Sequence, residues 1–385
     1  MIGTVHAVAK GGAGIIRLED RTVFVPDVIA GETVEFSIEG GQKGIWHGRL
    51  QRVLEPSPQR RPAPCRHYRE CGGCNLQHMA YDEQLRCKKE ILGVNLKKIA
   101  AFMPGEPVPV LPSPPFRYRS KIELQVRDSA IGFFRKKSHQ LVAIAECLLL
   151  GEATERFTLA PPTLPAASTG VLQILSNGSE LAARFEKEAG APVWLTANRS
   201  LSFVFPRFGY RCGPEHFIQA NLFQMTPMLG LLDGELAGRT NAGTAADLFC
   251  GGGFFTLLLA RYFPRVLALE SDPDNLAALR ANLESNRIGN VEVRAADALK
   301  AELPPLDLAV LDPPRGGLSP ALISRIARAG TKTVIYFSCD SATFARDLRL
   351  FFKYGYELRN LRLIDNFPQT DHFEIFSVLK KIDLS

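Results

Sequence analysis

Three short stretches of this chain carry side chains able to do covalent and acid–base chemistry together. The first is the apolar β-type run Val334-Ile335-Tyr336-Phe337-Ser338-Cys339-Asp340, which ends on a thiol. A buried parallel strand delivers its last residue to the crevice beyond the carboxyl ends of the sheet. Cys339 there is either a small core filler or a nucleophile whose thiolate attacks an electrophilic carbon. The second is a strand-end acid in Asp312-Pro313-Pro314-Arg315, and the third sets acids beside a histidine in Asp371-His372-Phe373-Glu374. A thiol and carboxyl groups at one crevice are the parts of nucleophilic catalysis with proton transfer.

A fourth stretch points to metal. Cys65, Cys71 and Cys74 stand in a C-x5-C-x2-C arrangement, with Gly72 and Gly73 letting the backbone wrap an object. Zinc or a four-iron, four-sulfur cluster takes four ligands, so a distant residue must close the site, and Cys147 and Cys87 are the candidates. The lopsided three-plus-one spacing favours iron–sulfur over the paired knuckles of structural zinc.

A fifth stretch reads as a nucleoside site. Ala245-Ala246-Asp247-Leu248-Phe249 runs into Cys250-Gly251-Gly252-Gly253 and then into a helix-forming segment, the opening of a doubly wound sheet. Thr256 stands where a dinucleotide fingerprint needs its third glycine, which argues against NAD. Glu270 ends the next apolar run, Val266–Leu269, where an acid accepts hydrogen bonds from ribose hydroxyls, and Asp297 follows Val291-Glu292-Val293. Acids at successive strand ends, with no phosphate-binding lysine, fit a nucleoside without phosphates: S-adenosylmethionine.

These stretches need a scaffold, and the 385 residues exceed one compact core, so two or three domains are expected. Hydrophobic residues at 46% and charged residues at 22% exclude a disordered or fibrous chain. No apolar run has the length of a membrane span and the N-terminus carries no signal-like segment, so a cytoplasmic protein is expected. Eight cysteines there call for metal, catalysis or burial rather than disulfides. The net charge of +6 sits N-terminally: residues 1–150 hold 22 Lys and Arg against 15 Asp and Glu, leaving 24 against 25 for the rest. The basic residues cluster at Arg49–Arg69 and at Arg117–Lys137, as for a polyanion such as RNA.

Turn signals at Gly11-Gly12, Glu19-Asp20, Ala30-Gly31-Glu32 and Gly40-Gly41 cut residues 1–55 into five short strands, Ile2–Val8, Gly14–Leu18, Thr22–Val25, Thr33–Glu39 and Ile45–Val53, a small closed barrel. The Gly-Gly-Ala-Gly turn and Val25-Pro26 followed by Gly31-Glu32-Thr33-Val34 resemble a TRAM domain, an RNA-binding barrel. A Pro- and Arg-rich linker follows. Residues 81–100 have helical periodicity with Lys88, Lys89, Lys97 and Lys98 outward; Tyr118–Arg127 and Ala130–Phe134 alternate as strands, and residues 140–205 continue as mixed α/β.

In this order the pieces resemble the RNA uracil-C5 methyltransferases, specifically the iron–sulfur branch that acts on 23S ribosomal RNA, through nearly the whole chain. The likeness is carried by Cys65, Cys71, Cys74 and Cys147, by Phe217-Ile218-Gln219-Ala220-Asn221, by Asp247–Gly251, by Leu311–Arg315, by Ser338-Cys339 and by Thr370–Glu374. It implies an α/β protein: an N-terminal OB-like TRAM barrel (1–55), a central α/β iron–sulfur domain (56–212) and a Rossmann-like class I methyltransferase domain (213–385). It places S-adenosylmethionine against Gln219, Phe249, Phe254, Glu270, Asp297 and Asp312, although Phe254 stands where the family usually carries a small or polar residue. Cys339 becomes the nucleophile and Glu374 the base, with Asp340-Ser341 in place of the usual Asn-Pro after the nucleophile. Cys147 becomes the fourth cluster ligand.

The implied chemistry is addition of the thiolate to uracil C6, methylation of the activated C5, and removal of the C5 proton. Because C6 is shielded in a stack, the nucleotide must be flipped out. The target implied is 23S rRNA, acted on by a monomer; the T-loop uridine of tRNA is the alternative, disfavoured because single-substrate tRNA members tend to lack the cluster cysteines and the barrel. A cytosine-C5 methyltransferase and a non-catalytic RNA-binding or redox-sensing iron–sulfur protein are the remaining readings.

Overall fold

The computed structural model of the chain describes residues 1–128, 130–144, 146–159, 164, 168–188, 190–238 and 243–382. It begins with β1 (Ile2–Val8), β2 (Gly14–Arg17), β3 (Thr22–Val25), β4 (Thr33–Gln42) and β5 (Ile45–Glu55), closed in the order β1-β2-β3-β5-β4. Alternation turns Val5, Ile16, Val23, Val25, Val34 and Phe36 inward. Gly14 lets the wall close, because a Cβ there would lie 2.2 Å from the Val28 side chain. Glu32 anchors the linker to this barrel: its buried carboxylate accepts from Arg60 Nε and Nη2 at 2.6 Å and from the amides of Ile29 (2.8 Å) and Ser57 (3.1 Å). These contacts outweigh the cost of burial and hold the carboxyl below its usual range.

After the linker come α1 (Tyr81–Asn95), a π-turn over Leu96–Ala100 and β6 (Val110–Leu111), then β7 (Lys121–Arg127), β8 (Ala130–Phe134), β9 (Leu141–Ala143), α2 (Glu152–Leu159), β10 (Gly170–Ser176), β11 (Leu181–Lys187), β12 (Val193–Trp194), and a hairpin of β13 (Leu201–Phe205) and β14 (Phe208–Cys212). Strands β7 to β12 form one sheet in the order β12-β11-β10-β7-β8-β9, in which every pairing is antiparallel. The segment expected to be mixed α/β is therefore mostly sheet, with α2 its one helix among the described residues.

The C-terminal half contains α3 (Leu222–Leu236), β15 (Thr244–Leu248), α4 (Thr256–Leu259), β16 (Arg265–Glu270), α5 (Pro273–Ser285), β17 (Val291–Ala295), β18 (Leu308–Leu311), α6 (Pro320–Arg328), β19 (Thr333–Ser338), α7 (Ser341–Lys353), β20 (Tyr356–Ile364) and β21 (Glu374–Lys381). Its sheet runs β17-β16-β15-β18-β19-β21-β20-β6. Strands β15 to β19 are parallel and β21 is antiparallel to both of its neighbours. Helices α3, α4 and α5 and the β13–β14 hairpin share one core, and α1, α6 and α7 the other.

Helix α1 and strand β6 lie before residue 112, yet they belong to this sheet: β6 pairs with the outer edge of β20, and Ile91, Leu92 and Leu96 are buried with Phe344 and Leu348 of α7. Each such side chain contributes about 1.5–3 kcal/mol. Lys88, expected to point outward, is fully buried instead; its ammonium meets Asp365, and its stem lies on the face that alternation alone assigned to solvent. Among the described residues no helix is long and apolar enough to cross a membrane.

Candidate active site

Parallel strands place the loops that follow them at one edge of a sheet, and that edge holds most of the chemistry read from the sequence. Leu311 ends β18, and Asp312 follows it. Ser338 ends β19, and Cys339 and Asp340 follow, Asp340 capping α7 by accepting from the amides of Ala342 and Thr343, both at 3.0 Å. Strand β21 runs the other way, so Glu374, its first residue, reaches the same edge. One cavity of about 560 Å³ is lined by Cys339, Glu374, Asp312, Gln219, Glu270 and Asp297, with Phe249, Arg315 and His372 among its other walls.

The groups are fixed by hydrogen bonds at their backs. Glu270 takes the amide of Gly251 on one oxygen (2.9 Å) and those of Ser271 (2.7 Å) and Asp272 (2.8 Å) on the other. Asp297 accepts from the Leu299 amide at 2.9 Å. Gln219 bridges the site, donating to Asp312 Oδ2 and accepting from Asn366 Nδ2, each at 3.1 Å. Phe249 has φ of 89°, the left-handed region, so the chain turns sharply from β15 into the glycine turn.

Burial governs the protonation of the reactive groups. It raises Asp312 to about 7, aided by the charge of Asp247 and opposed by the Gln219 hydrogen bond. Burial and the neighbouring Asp312 push Glu374 well above the carboxylate range, and burial with Glu374 and Asp312 pushes the Cys339 thiol up to about 12. Burial also lowers His372. Both shifts favour the protonated forms, so the half-buried thiol and the buried carboxyl must each give up a proton before they can act as nucleophile and base.

Phe254 does not line this cavity but a much smaller one beside it, shared with Gln219, Phe249 and Asp312. Its ring packs edge-to-face on Phe205, Tyr210 and Phe255, at 5.6, 6.0 and 5.0 Å, because the glycine turn directs it into the core. Asp371 is also turned from the cavity, held by the Gly11 amide (2.6 Å) and Asn75 Nδ2 (2.7 Å).

The segment Asp365–Phe373 sets the height of Glu374, and its supports were not apparent from the sequence. Asp365 accepts from Lys88 Nζ at 2.5 Å and from the Tyr81 hydroxyl at 2.7 Å; Lys88 also donates to Phe367 O at 3.0 Å. Gln369 has φ of 69° and exchanges hydrogen bonds with Gln84. The polar pair Asp365-Asn366 just upstream of the Thr370–Glu374 motif was the available signal.

Cys65, Cys71, Cys74 and Cys147 line a second, smaller cavity walled by Phe133, Ile144, Leu148 and Leu149. All four are free thiols. Burial, together with the charges of the other cysteines, raises Cys74 to about 12; burial raises Cys147 to about 11. No three of them stand close enough together to grip a single ion, as holds for every such group among the described residues. Cys87 lies elsewhere, buried with Val8, Ile29, Leu76 and Met79.

A third, open cavity of about 800 Å³ is lined by Arg119, Lys121, Arg135, Lys136 and Lys137 with Phe133 and Phe134. It shares Phe217, Ile218 and Ala220 with the first cavity, and Phe217 is 57% exposed at this divide.

Comparison with known proteins adds the following. The tRNA (uracil-5-)-methyltransferase family model matches residues 197–302 and 305–382. The 23S rRNA (uracil(1939)-C(5))-methyltransferase RlmD of Pseudomonas entomophila is 33% identical over 98% of this chain and 92% of its own length. An uncharacterized RNA methyltransferase of Aquifex aeolicus is 31% identical over 99% of this chain and 98% of its own. Among solved structures, Pyrococcus abyssi tRNA (uracil-54, C5)-methyltransferase in complex with S-adenosyl-L-homocysteine superposes with a TM-score of 0.77 at 24% identity, over 98% of this chain and 99% of that one, a likeness of fold.

Proposed function

Since the chain belongs to the RNA uracil-C5 methyltransferase family, whose members use S-adenosylmethionine, we propose that it methylates C5 of a uridine in 23S rRNA, with Cys339 as nucleophile and Glu374 as base. The observation that carries this reading is that Cys339, Glu374, Asp312 and Gln219, drawn from four separate stretches of sequence, line one cavity. Its likeness to the Pseudomonas enzyme over nearly both whole chains favours ribosomal RNA as the target. The basic cavity beyond Phe217 puts phosphate-binding side chains next to the active one, where the strand that carries a flipped nucleotide could lie. Free thiols throughout fit a cytoplasmic protein, and we take it to act as a monomer.

S-adenosylmethionine supplies the methyl group on a positively charged sulfur, and Glu270, Asp297, Asp312 and Gln219 are the residues we assign to hold it, with Phe249 at the turn. Cys339 adds as thiolate to C6, pushing electrons to C5; C5 then takes the methyl group. Glu374 removes the C5 proton, and the electrons of that bond expel the Cys339 thiolate. Gln219 keeps Asp312 and Asn366 in register.

We assign Cys65, Cys71, Cys74 and Cys147 as ligands of a four-iron, four-sulfur cluster. What supports this is that the four half-buried thiols line one small cavity and would repel one another as thiolates, which suits a cationic guest, and that their three-plus-one order in the sequence favours iron–sulfur. Such a group, when bound, would hold the Cys65–Cys74 loop against β8 and Cys147.

Mass-spectrometric mapping of 5-methyluridine in ribosomal and transfer RNA, from cells with and without this gene, tests the target. Loss of one 23S site is expected; loss of the T-loop methyl group alone would assign the enzyme to tRNA. Asp312 provides a second measurement. Its carboxyl is charged only above about 7, so affinity for the cationic S-adenosylmethionine should weaken as pH falls from 8 to 6, by up to about tenfold. S-adenosylhomocysteine, which lacks that charge, should change less, and Asp312→Asn should flatten the difference. Titration calorimetry at three pH values would reveal parallel curves if Asp312 does not face the sulfur.

A further inference from the structure

The β1–β2 turn of the barrel reaches into the catalytic edge. Gly11 and Gly12 have φ of 94° and 76°, and a Cβ on Gly12 would lie 2.7 Å from the Asn75 side chain, so the turn sits flush on the loop after the cysteines. Asn75 Nδ2 donates to Gly11 O at 3.0 Å and to Asp371 Oδ1 at 2.7 Å, and the Gly11 amide reaches Asp371 Oδ2. From this clasp the Lys10 ammonium pairs with the carboxylate of Asp340, 330 residues away and next to Cys339. Asp340 is only 14% exposed at its side chain, and its other oxygen caps α7.

The charges around Cys339 explain why this pair matters. Asp312, Glu374 and Asp340 all oppose a thiolate there, and Arg315 is the one lysine or arginine lining the cavity among the described residues. Of the other charged groups packed nearby, Asp371 is bound to Asn75 and Gly11, Lys88 is bound to Asp365, and His372 is turned toward the neutral form by burial. Lys10 is the cation bound to Asp340.

We propose that Lys10 is a positioning residue for Cys339: from the barrel it neutralises Asp340 and holds the start of α7, so that the carboxylate beside the nucleophile does not oppose the thiolate. The barrel then takes part in the chemical step as well as in gripping RNA. This rests on Cys339 being the nucleophile.

The test is rapid-quench measurement of the covalent RNA–protein adduct in the full-length, cluster-loaded enzyme at saturating RNA and S-adenosylmethionine, from pH 6 to 9. Lys10→Met should move the acid limb of the rate upward by about half a unit to one unit, slowing addition about three- to tenfold below it. Lys10→Arg should restore the limb. Lys10→Met combined with Asp340→Asn should return it toward wild type, because asparagine still caps the helix but carries no charge. A limb unmoved in Lys10→Met, with only RNA affinity reduced in filter binding, would make Lys10 a phosphate contact and end the proposal. So would a double variant as slow as Lys10→Met. Adduct in Cys339→Ala would remove the nucleophile assignment and this inference with it.

Discussion

Cys339→Ala is expected to abolish methyl transfer, by on the order of 10⁴-fold or more, while RNA and S-adenosylmethionine still bind. The reason is positional: among the described residues Cys339 is the only cysteine lining the 560 Å³ cavity, and Cys250, in the neighbouring turn, is buried. Glu374→Gln should fail differently. Addition and methylation precede proton removal, and an amide cannot accept the C5 proton, so turnover should drop by about 10²–10⁴ while a methylated, covalent RNA–protein species accumulates. A denaturing gel with labelled RNA would show the shifted band in Glu374→Gln and none in the double variant with Cys339→Ala. Normal turnover by Glu374→Gln would move the base elsewhere, to His372 before Asp371, because Asp371 is already held by Asn75 and Gly11.

The second large effect concerns the cysteine cavity. Anaerobically purified protein should be brown and hold about four irons per chain. Cys147→Ser should lose that iron and lower the thermal midpoint by on the order of 10 °C, since a bound metal group contributes directly to folding. Cys87→Ser should keep the iron, because its thiol packs with Val8, Ile29, Leu76 and Met79 and does not face the cavity. Iron analysis and calorimetry on the two variants decide it: iron retained in Cys147→Ser, or stoichiometric zinc in the wild type, would overturn the assignment.

The parts of the molecule legible in the sequence are those whose signal is local. The five barrel strands follow from alternation and glycine turns, and their starts coincide with the expected ones, although β4 and β5 run on to Gln42 and Glu55. Cys339 at a strand end and Glu270 after a glycine turn follow from the register of buried parallel strands. What stayed hidden depends on partners far away in the chain. Strand β6 has two residues and no pattern of its own; it exists because β20 offers an open edge. Glu374 was expected beside Cys339, but the means, β21 inserted antiparallel between β19 and β20, leaves no local trace. Lys88 was assigned to solvent because a lysine on an amphipathic helix usually is; Asp365, itself bound by Tyr81, and the Phe367 carbonyl make its burial tolerable. Phe254 was placed at the cofactor by the family resemblance alone; its ring packs with Phe205, Tyr210 and Phe255 and borders only the smaller pocket under the glycine turn.

The buried pair of Lys88 and Asp365 also sets a timetable. The two residues are 277 positions apart, so at roughly 5–20 residues per second a ribosome exposes Lys88 on the order of tens of seconds before its partner exists. Until then helix α1 cannot settle, since a lone ammonium in that core would cost several kcal/mol. The barrel can close early, because all of its strands pair among themselves, but the helix that follows it must wait for the last tenth of the chain. A nascent chain released short of Tyr356 would therefore carry a finished barrel beside an unfolded helix, with no partner for β6.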